Sequence, residues 1–446
     1  MDNLLESIQN LSQDDLNEYS KNLMVGGGTP GPTLVGGKGV RLTDINGKSY
    51  IDCTSQSWAM YLGFGNEEIT AAVNEHMKNM SHMHQGFHTK QRYALAHKLA
   101  SLAPKNLNRV SFTVGGGLAV EAAMKIALKN VDKARAFISL WDAYHGSTFS
   151  TAAASWTTTR SSGKFTGQLN FLPELNANFV KAPNPYCYRC YFGQKCESCS
   201  LQCAEMMRLT IEKGVCGPVA GVILEPIQAS GGQIPAPKKY LQRVREICDE
   251  FGALLIYDEI QTYCRIGKFF AAEYYDVEPD IIVLGKGLGG GLPIAAIIIH
   301  DRLKGFEMSA GEELHTFANN SVPQVSALKM IEIIERDDVL GNANRIGGYL
   351  AGKLRGLAGE FPEIGDIRQI GLHIGVEMIE DPVTKKEMSV EKSMKIRDAA
   401  MSRGLILGTG GFRKHLLKFK PPLIVSREEA DEIAALFAES LIAVLR

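Results

Sequence analysis

The sequence carries no excess of charge. Its 48 Lys and Arg stand against 49 Asp and Glu, a net charge of −1 over 446 residues. That balance removes the electrostatic reason to expect a nucleic acid or an anionic membrane as partner. Long apolar runs are missing as well. The longest, 292–299, falls far short of the roughly 20 residues that cross a bilayer. The N-terminus, MDNLLESIQNLSQDDLNEY, is acidic and lacks the basic start and apolar core of a secretory signal. The expectation is a soluble, cytoplasmic protein. Nine cysteines, an odd number, with no signal peptide argue for reduced thiols rather than a disulfide framework. Five of them cluster: Cys187, Cys190, Cys196, Cys199 and Cys203. Two C-x-x-C pairs look metal-like, but five residues separate them, less than the usual zinc-ribbon spacing. A structural loop of free thiols is the expectation, and no metal is assigned. His82, His84 and His88 likewise read as loop or interface histidines.

What is present is ordinary in composition and ordered in pattern. Hydrophobic residues at 45% and charged residues at 22% suit a globular enzyme or binding protein, and the length allows two domains. A short polar helix and a Gly/Pro-rich connection at 26–32 come first. The Asn46-Gly47 turn between alternating runs signals a hairpin. From about residue 66, strands and helices alternate. Helices are predicted over 66–80, 89–102, 118–129 and 238–251, and strands over 109–114, 134–140, 219–224, 253–257 and 281–284. Short, wholly apolar strands in such βαβ alternation imply a mostly parallel sheet covered on both faces. After 325 the chain turns to long helices at 325–336, 341–361 and 427–445, with short strands between. The division expected is 1–60 as the N-terminal part of a small domain, 61–325 as the large domain with a Cys-rich insertion near 184–204, and 326–446 completing the small domain.

Ligands in open parallel sheets sit past the carboxyl ends of the strands, and four such ends carry chemistry here. Gly115-Gly116-Gly117 lies between a strand and a helix N-terminus, where backbone N–H groups and the helix dipole suit a phosphate. Tyr144 offers a ring to stack on a planar cofactor, and Glu225 a carboxylate inside the site. The most telling stretch is 253–293. One apolar run delivers Asp258-Glu259 and a second delivers Lys286 into a glycine-rich turn. A buried carboxylate and a loop lysine are what pyridoxal phosphate chemistry needs. The lysine forms a Schiff base with the aldehyde, and the carboxylate keeps the pyridine nitrogen protonated. A P-loop lysine is excluded, because Lys286 precedes its glycines rather than following them.

The segments DEIQTYCRIGKFFA, PDIIVLGKGLGGGLPIAA, DAYHGST, EPIQASGG, HTFANN and KFKPPL fall in the order of a known family. The chain resembles the class III, fold-type I pyridoxal-phosphate aminotransferases along nearly its whole length. The resemblance implies an α/β fold: a large domain with a mostly parallel, seven-stranded type of sheet and a smaller α/β domain from both chain ends. It implies pyridoxal 5'-phosphate as cofactor, Lys286 as the Schiff-base lysine and Asp258 as partner of the pyridine nitrogen. Gln261 would contact the ring hydroxyl, Tyr144 would stack on the ring, and Gly116 and Gly117 would seat the phosphate. Thr316 would reach the phosphate of a neighbouring subunit, implying a homodimer with shared active sites, with a dimer of dimers as a further option. Ser57 and Trp58 would line the substrate mouth.

Departures from the family concern the substrate. The phosphate loop has lost its hydroxyl donors. Ser147 stands where enzymes of 4-aminobutyrate carry an arginine. Ser230 and Lys418 stand where the ornithine and 4-aminobutyrate enzymes hold a glutamate that masks an arginine. A lysine cannot reproduce the bidentate carboxylate contact of an arginine. Transfer of an amino group from an amino acid or primary amine to a keto acid is therefore the expected reaction on a substrate other than those two. Elimination, decarboxylation or racemisation on the same cofactor is the alternative. A binding or regulatory protein on this fold is disfavoured, since Lys286, Asp258 and Gln261 are all intact and a buried lysine has no structural benefit.

Overall fold

Branched apolar residues dominate the main sheet for a physical reason: its strands are covered on both faces, so alternation with polar residues is lost. The computed structural model describes residues 4–24, 31–156, 179–411 and 414–446. Most of the Gly/Pro-rich connection at 26–32 lies outside the described residues. Seven described strands build the main sheet: β1 (Leu107–Thr113), β2 (Ala136–Leu140), β3 (Phe179–Ala182), β4 (Val219–Leu224), β5 (Leu254–Asp258), β6 (Ile281–Leu284) and β7 (Ala295–His300). Their order across the sheet is β1-β7-β6-β5-β4-β2-β3. Strand β7 runs antiparallel to both neighbours, and every other pairing is parallel. The sequence places an apolar run at 292–299 without marking it as a strand, and this run supplies β7.

The carboxyl ends of the six parallel strands therefore share one edge. Helices Gly116–Asn130 and Lys238–Phe251 pack on the sheet. The first is Ala-rich, and its buried alanines let it lie close against the strands. Besides a short pair, Ile227–Gln228 with Ile234–Pro235, two larger sheets are described. Strands Arg41–Asp44 and Ser49–Asp52 form the expected hairpin around Asn46-Gly47, and Ser49–Asp52 pairs in parallel with Leu405–Ile406. The two ends of the chain thus share one sheet. The other sheet joins Ile364–Ile370, His373–Asp381, Leu416–Phe419 and Gly408–Gly410. The long helices Ser321–Arg336, Val339–Leu357 and Arg427–Leu445 agree with the pattern read from sequence. Ser426 closes the last of them with a capping box to Glu429.

All nine cysteines are free thiols. Among the described residues, no group of His, Cys, Asp and Glu is arranged to hold a metal ion. The Cys-rich segment is instead anchored by its other side chains. Tyr186 and Arg189 bond to buried Glu377, which also takes Arg368 and His415. Burial raises the Glu377 carboxyl, but the cations around it win and hold it far below the usual carboxylate range. Among the described residues, no helix is long and apolar enough to cross a membrane.

Candidate active site

Adjacent strands deliver the two groups that matter most. Strand β5 pairs with β6 in a register that sets Asp258 beside Val283, three residues before Lys286. Both strands are wholly buried, so the carboxylate and the amine meet at one dry edge. Lys286 opens a short 3-10 turn with φ +46°, a left-handed conformation costly for a residue with a Cβ. The turn is held tightly. A Cβ on Gly287 would lie 2.2 Å from the Tyr61 ring.

A cavity of about 380 Å³ opens at this edge, within the range of small-molecule sites. Lys286, Asp258, Gln261, Tyr144, Glu225 and the Gly115–Gly117 loop all line it. Among the described residues, Lys286 Nζ has no hydrogen bond or ion pair. Burial pushes its amine below the ordinary lysine range, and the charges of Asp258 and Glu225 pull the other way. Asp258 is 4% exposed; its Oδ2 lies 2.8 Å from Nδ1 of buried His145, and Oδ1 accepts from the Ile260 N–H. Glu225 ties two loops, accepting from the backbone N–H of Tyr144 and of Ala229 at 3.0 Å each. Burial raises its carboxyl.

The residues present fit pyridoxal phosphate. Helix Gly116–Asn130 starts from Gly115 with no side-chain cap and no acid in its first turn. Its free N–H groups face the cavity mouth and suit an anion. An unpartnered amine and a buried carboxylate complete the set that such a cofactor requires.

Not every expected residue reaches this cavity. Ser57, Trp58, Ser230, Lys418 and Thr316 lie outside its lining. Thr316 is exposed, between exposed Leu314 and Phe317. Ser230 accepts from the Gly411 N–H, where the C-terminal segment meets the large sheet's loops. Lys418 is 3% exposed; its amine has no hydrogen bond or ion pair among the described residues and lies 5.2 Å from the Trp58 ring centre. Burial lowers its amine to about 8; Glu225 raises it and Lys286 lowers it further. Glycines 408 and 410 opposite leave room for the Trp58 ring and the Lys418 stem.

Trp58 ends a run of four residues with positive φ, Ser55 to Trp58 at 44°, 39°, 62° and 70°. No glycine relieves that run. Asp52 braces it, accepting from Thr54 N, Thr54 Oγ1 and Gln56 N at 2.6–2.9 Å. Ser55 Oγ donates to the Lys420 carbonyl at 2.7 Å and accepts from Arg265 Nη2 at 3.0 Å.

The comparisons with known proteins decide the family. The class-III aminotransferase model matches residues 31–441. The chain belongs to the class-III aminotransferase family. A leucine/methionine racemase of Thermococcus litoralis is 33% identical over 89% of this chain and 87% of the relative. A taurine–pyruvate aminotransferase of Bilophila wadsworthia is 31% identical over 90% of each. A solved aminotransferase of Bacillus anthracis superposes with a TM-score of 0.86 at 27% identity, covering 97% of this chain and 98% of that one. The fold of this class-III family member is that of the fold-type I transaminases.

Two residues of the site escaped the reading from sequence. His145 follows Tyr144 directly, yet only the fold shows that its ring meets Asp258. Lys420 is buried beside Gln261, and its signal was the Lys-Phe-Lys alternation: residues two apart on a strand share a face.

Proposed function

We propose that this class-III family member is a pyridoxal-phosphate-dependent aminotransferase that moves an amino group from an amino acid or primary amine to a keto acid. The observation that carries the reading is Lys286 and Asp258 at the ends of adjacent parallel strands in one cavity, with the lysine amine unpartnered. When bound, the cofactor supplies an electron-accepting ring that stabilises negative charge at the substrate carbon. Lys286 would hold the cofactor through its aldehyde and, with its amine free, would serve as general base for the proton on the substrate carbon. Asp258, oriented by His145, keeps the ring nitrogen protonated. Gly116 and Gly117 seat the phosphate, Tyr144 packs on the ring, and Glu225 holds the Tyr144 loop in place. Ser57, Trp58, Ser230 and Lys418, outside the lining of the cofactor cavity, contribute to the substrate side, where Lys418 offers a cation.

The site belongs to a homodimer in this reading. Thr316 is exposed and outside the lining of its own cavity; exposed Leu314 and Phe317 lie on the same segment, Phe87 on a loop and Tyr93 on the helix Lys90–Leu102. Thr316 then reaches the phosphate of the partner's cofactor.

Racemisation is the second reading, supported by the leucine/methionine racemase and by a 31% identical isoleucine 2-epimerase of Lentilactobacillus buchneri. One assay separates the two. The protein is incubated with an amine and amino-acid panel, with and without pyruvate and 2-oxoglutarate. Turnover that requires the keto acid supports transamination. Loss of optical activity without a keto acid supports racemisation and overturns the first reading.

A further inference from the structure

Lys420 is fully buried on the strand end that follows Leu416–Phe419, 159 residues in sequence from the glutamine it touches. Its Nζ donates to Gln261 Oε1 at 3.0 Å and lies 2.9 Å from His373 Nε2. The Trp58 ring centre is 4.9 Å away. Gln261 lines the active-site cavity, and its Nε2 has no hydrogen-bond partner among the described residues.

A side-chain amide can be turned either way, and its two ends have opposite hydrogen-bonding character. Lys420 removes that freedom. As an ammonium it has donors only, so the amide oxygen must face it. As a neutral amine it has one lone pair, and the His373 ring N–H takes it up. In both states an N–H remains for Gln261 Oε1, and in both the amide NH₂ is left pointing to the cavity. We propose that Lys420 is a positioning residue: it locks Gln261 as a hydrogen-bond donor toward the cofactor ring oxygen and so tunes the bound cofactor. The proposal rests on the pyridoxal phosphate reading.

The charged groups around Lys420 come from several elements. His373 and Lys418 lie on the same sheet, Arg265 on the turn after β5, Lys286 after β6 and Glu225 after β4. Burial lowers the Lys420 amine first, and Lys418, Arg265 and Lys286 lower it further.

A donor to the ring oxygen stabilises negative charge there and makes the lysine-linked nitrogen of the cofactor less basic. The test is a pH titration of the bound cofactor's visible absorbance, without substrate, in wild type, Lys420→Met, Gln261→Leu and the double variant. Lys420→Met is expected to raise the spectral midpoint by about one unit. In the Gln261→Leu background the same change is expected to shift it by much less, because the group through which Lys420 acts is gone. An equal shift in both backgrounds shows that Lys420 acts by its own charge and overturns the proposal, as does an unshifted Lys420→Met. Lys420→Arg, which keeps donors toward the amide, is expected to stay near the wild-type midpoint and serves if Lys420→Met does not fold; a midpoint raised as in Gln261→Leu counts against the proposal. A wild-type protein with no visible band refutes the cofactor reading itself, which is a separate failure.

Discussion

His145 Nδ1 sits 2.8 Å from Asp258 Oδ2, with both side chains enclosed by protein. The imidazole uses one nitrogen to fix the carboxylate and keeps Nε2 without a partner. Asp258 is thereby aimed by two groups, the His145 ring and the Ile260 N–H. Removing the ring leaves the carboxylate free to turn. His145→Ala is expected to lower kcat/KM by about ten- to a hundredfold, the worth of a hydrogen bond to a charged group. Steady-state kinetics on the preferred amine check this, and unchanged kinetics would sink the positioning role.

Lys286 is expected to carry the cofactor covalently. Borohydride treatment followed by peptide mass spectrometry should find the cofactor on the peptide that contains Lys286. Lys286→Ala should lose that adduct and at least about a thousandfold of turnover. An adduct on Lys418 or Lys420 would reassign the site.

Lys418 gives a pH prediction whose sign follows from burial. Its amine falls from 10.5 to about 8 in the folded protein. The folded state thus binds the proton less well than the unfolded one. The penalty is complete below about pH 8 and fades as pH rises toward 10.5. That drop is worth at most about 3 kcal/mol, so Lys418→Met should be more stable than wild type at pH 7 by up to this amount. Urea titration of both proteins at pH 7 and pH 10 reads it, and equal stability at pH 7 contradicts it. The same variant should lose preference for substrates with an anionic group, and in wild type that preference should weaken above about pH 8.

Glu259 is a test of structure rather than chemistry. It follows Asp258 in sequence but faces away from the cavity, accepting from Ala271 N, Ala272 N and Thr262 Oγ1 at 2.5–3.0 Å. Glu259→Gln sets an amide NH₂ against a backbone N–H. It should cost about 2 kcal/mol of stability while leaving the spectrum of the bound cofactor intact. Thermal unfolding and an absorbance scan separate the two effects.

The acid pair shows how far the sequence reaches. An apolar strand ending in Asp258-Glu259, and another ending before Lys286, announce a site because strand ends in a parallel sheet share an edge. The resemblance already picks Asp258 of the two acids, and the structure lines the cavity with it while Glu259 turns to the backbone of Ala271 and Ala272. The Lys420–Gln261 contact was invisible, since its partners lie 159 residues apart and meet only when the C-terminal sheet docks. Strand β7 was missed because a continuous apolar run has no period to read. The bend at Ser55 to Trp58 was missed because Ser-Gln-Ser-Trp contains none of the glycine that usually marks positive φ.

That bend has a consequence for how the enzyme is made. A left-handed stretch of ordinary residues is costly, on the order of 1–2 kcal/mol each, and stands only while something outside it holds on. Part of that hold is the carbonyl of Lys420, only 26 residues from the last of 446. A nascent protein still short of that residue already contains Gly116, Asp258 and Lys286, and Asp52 and Arg265 as well, yet lacks the carbonyl that takes the Ser55 hydroxyl. Competence then arrives at the end of synthesis, all at once. A stalled-chain assay that detects turnover before residue 420 leaves the ribosome would contradict this order of events.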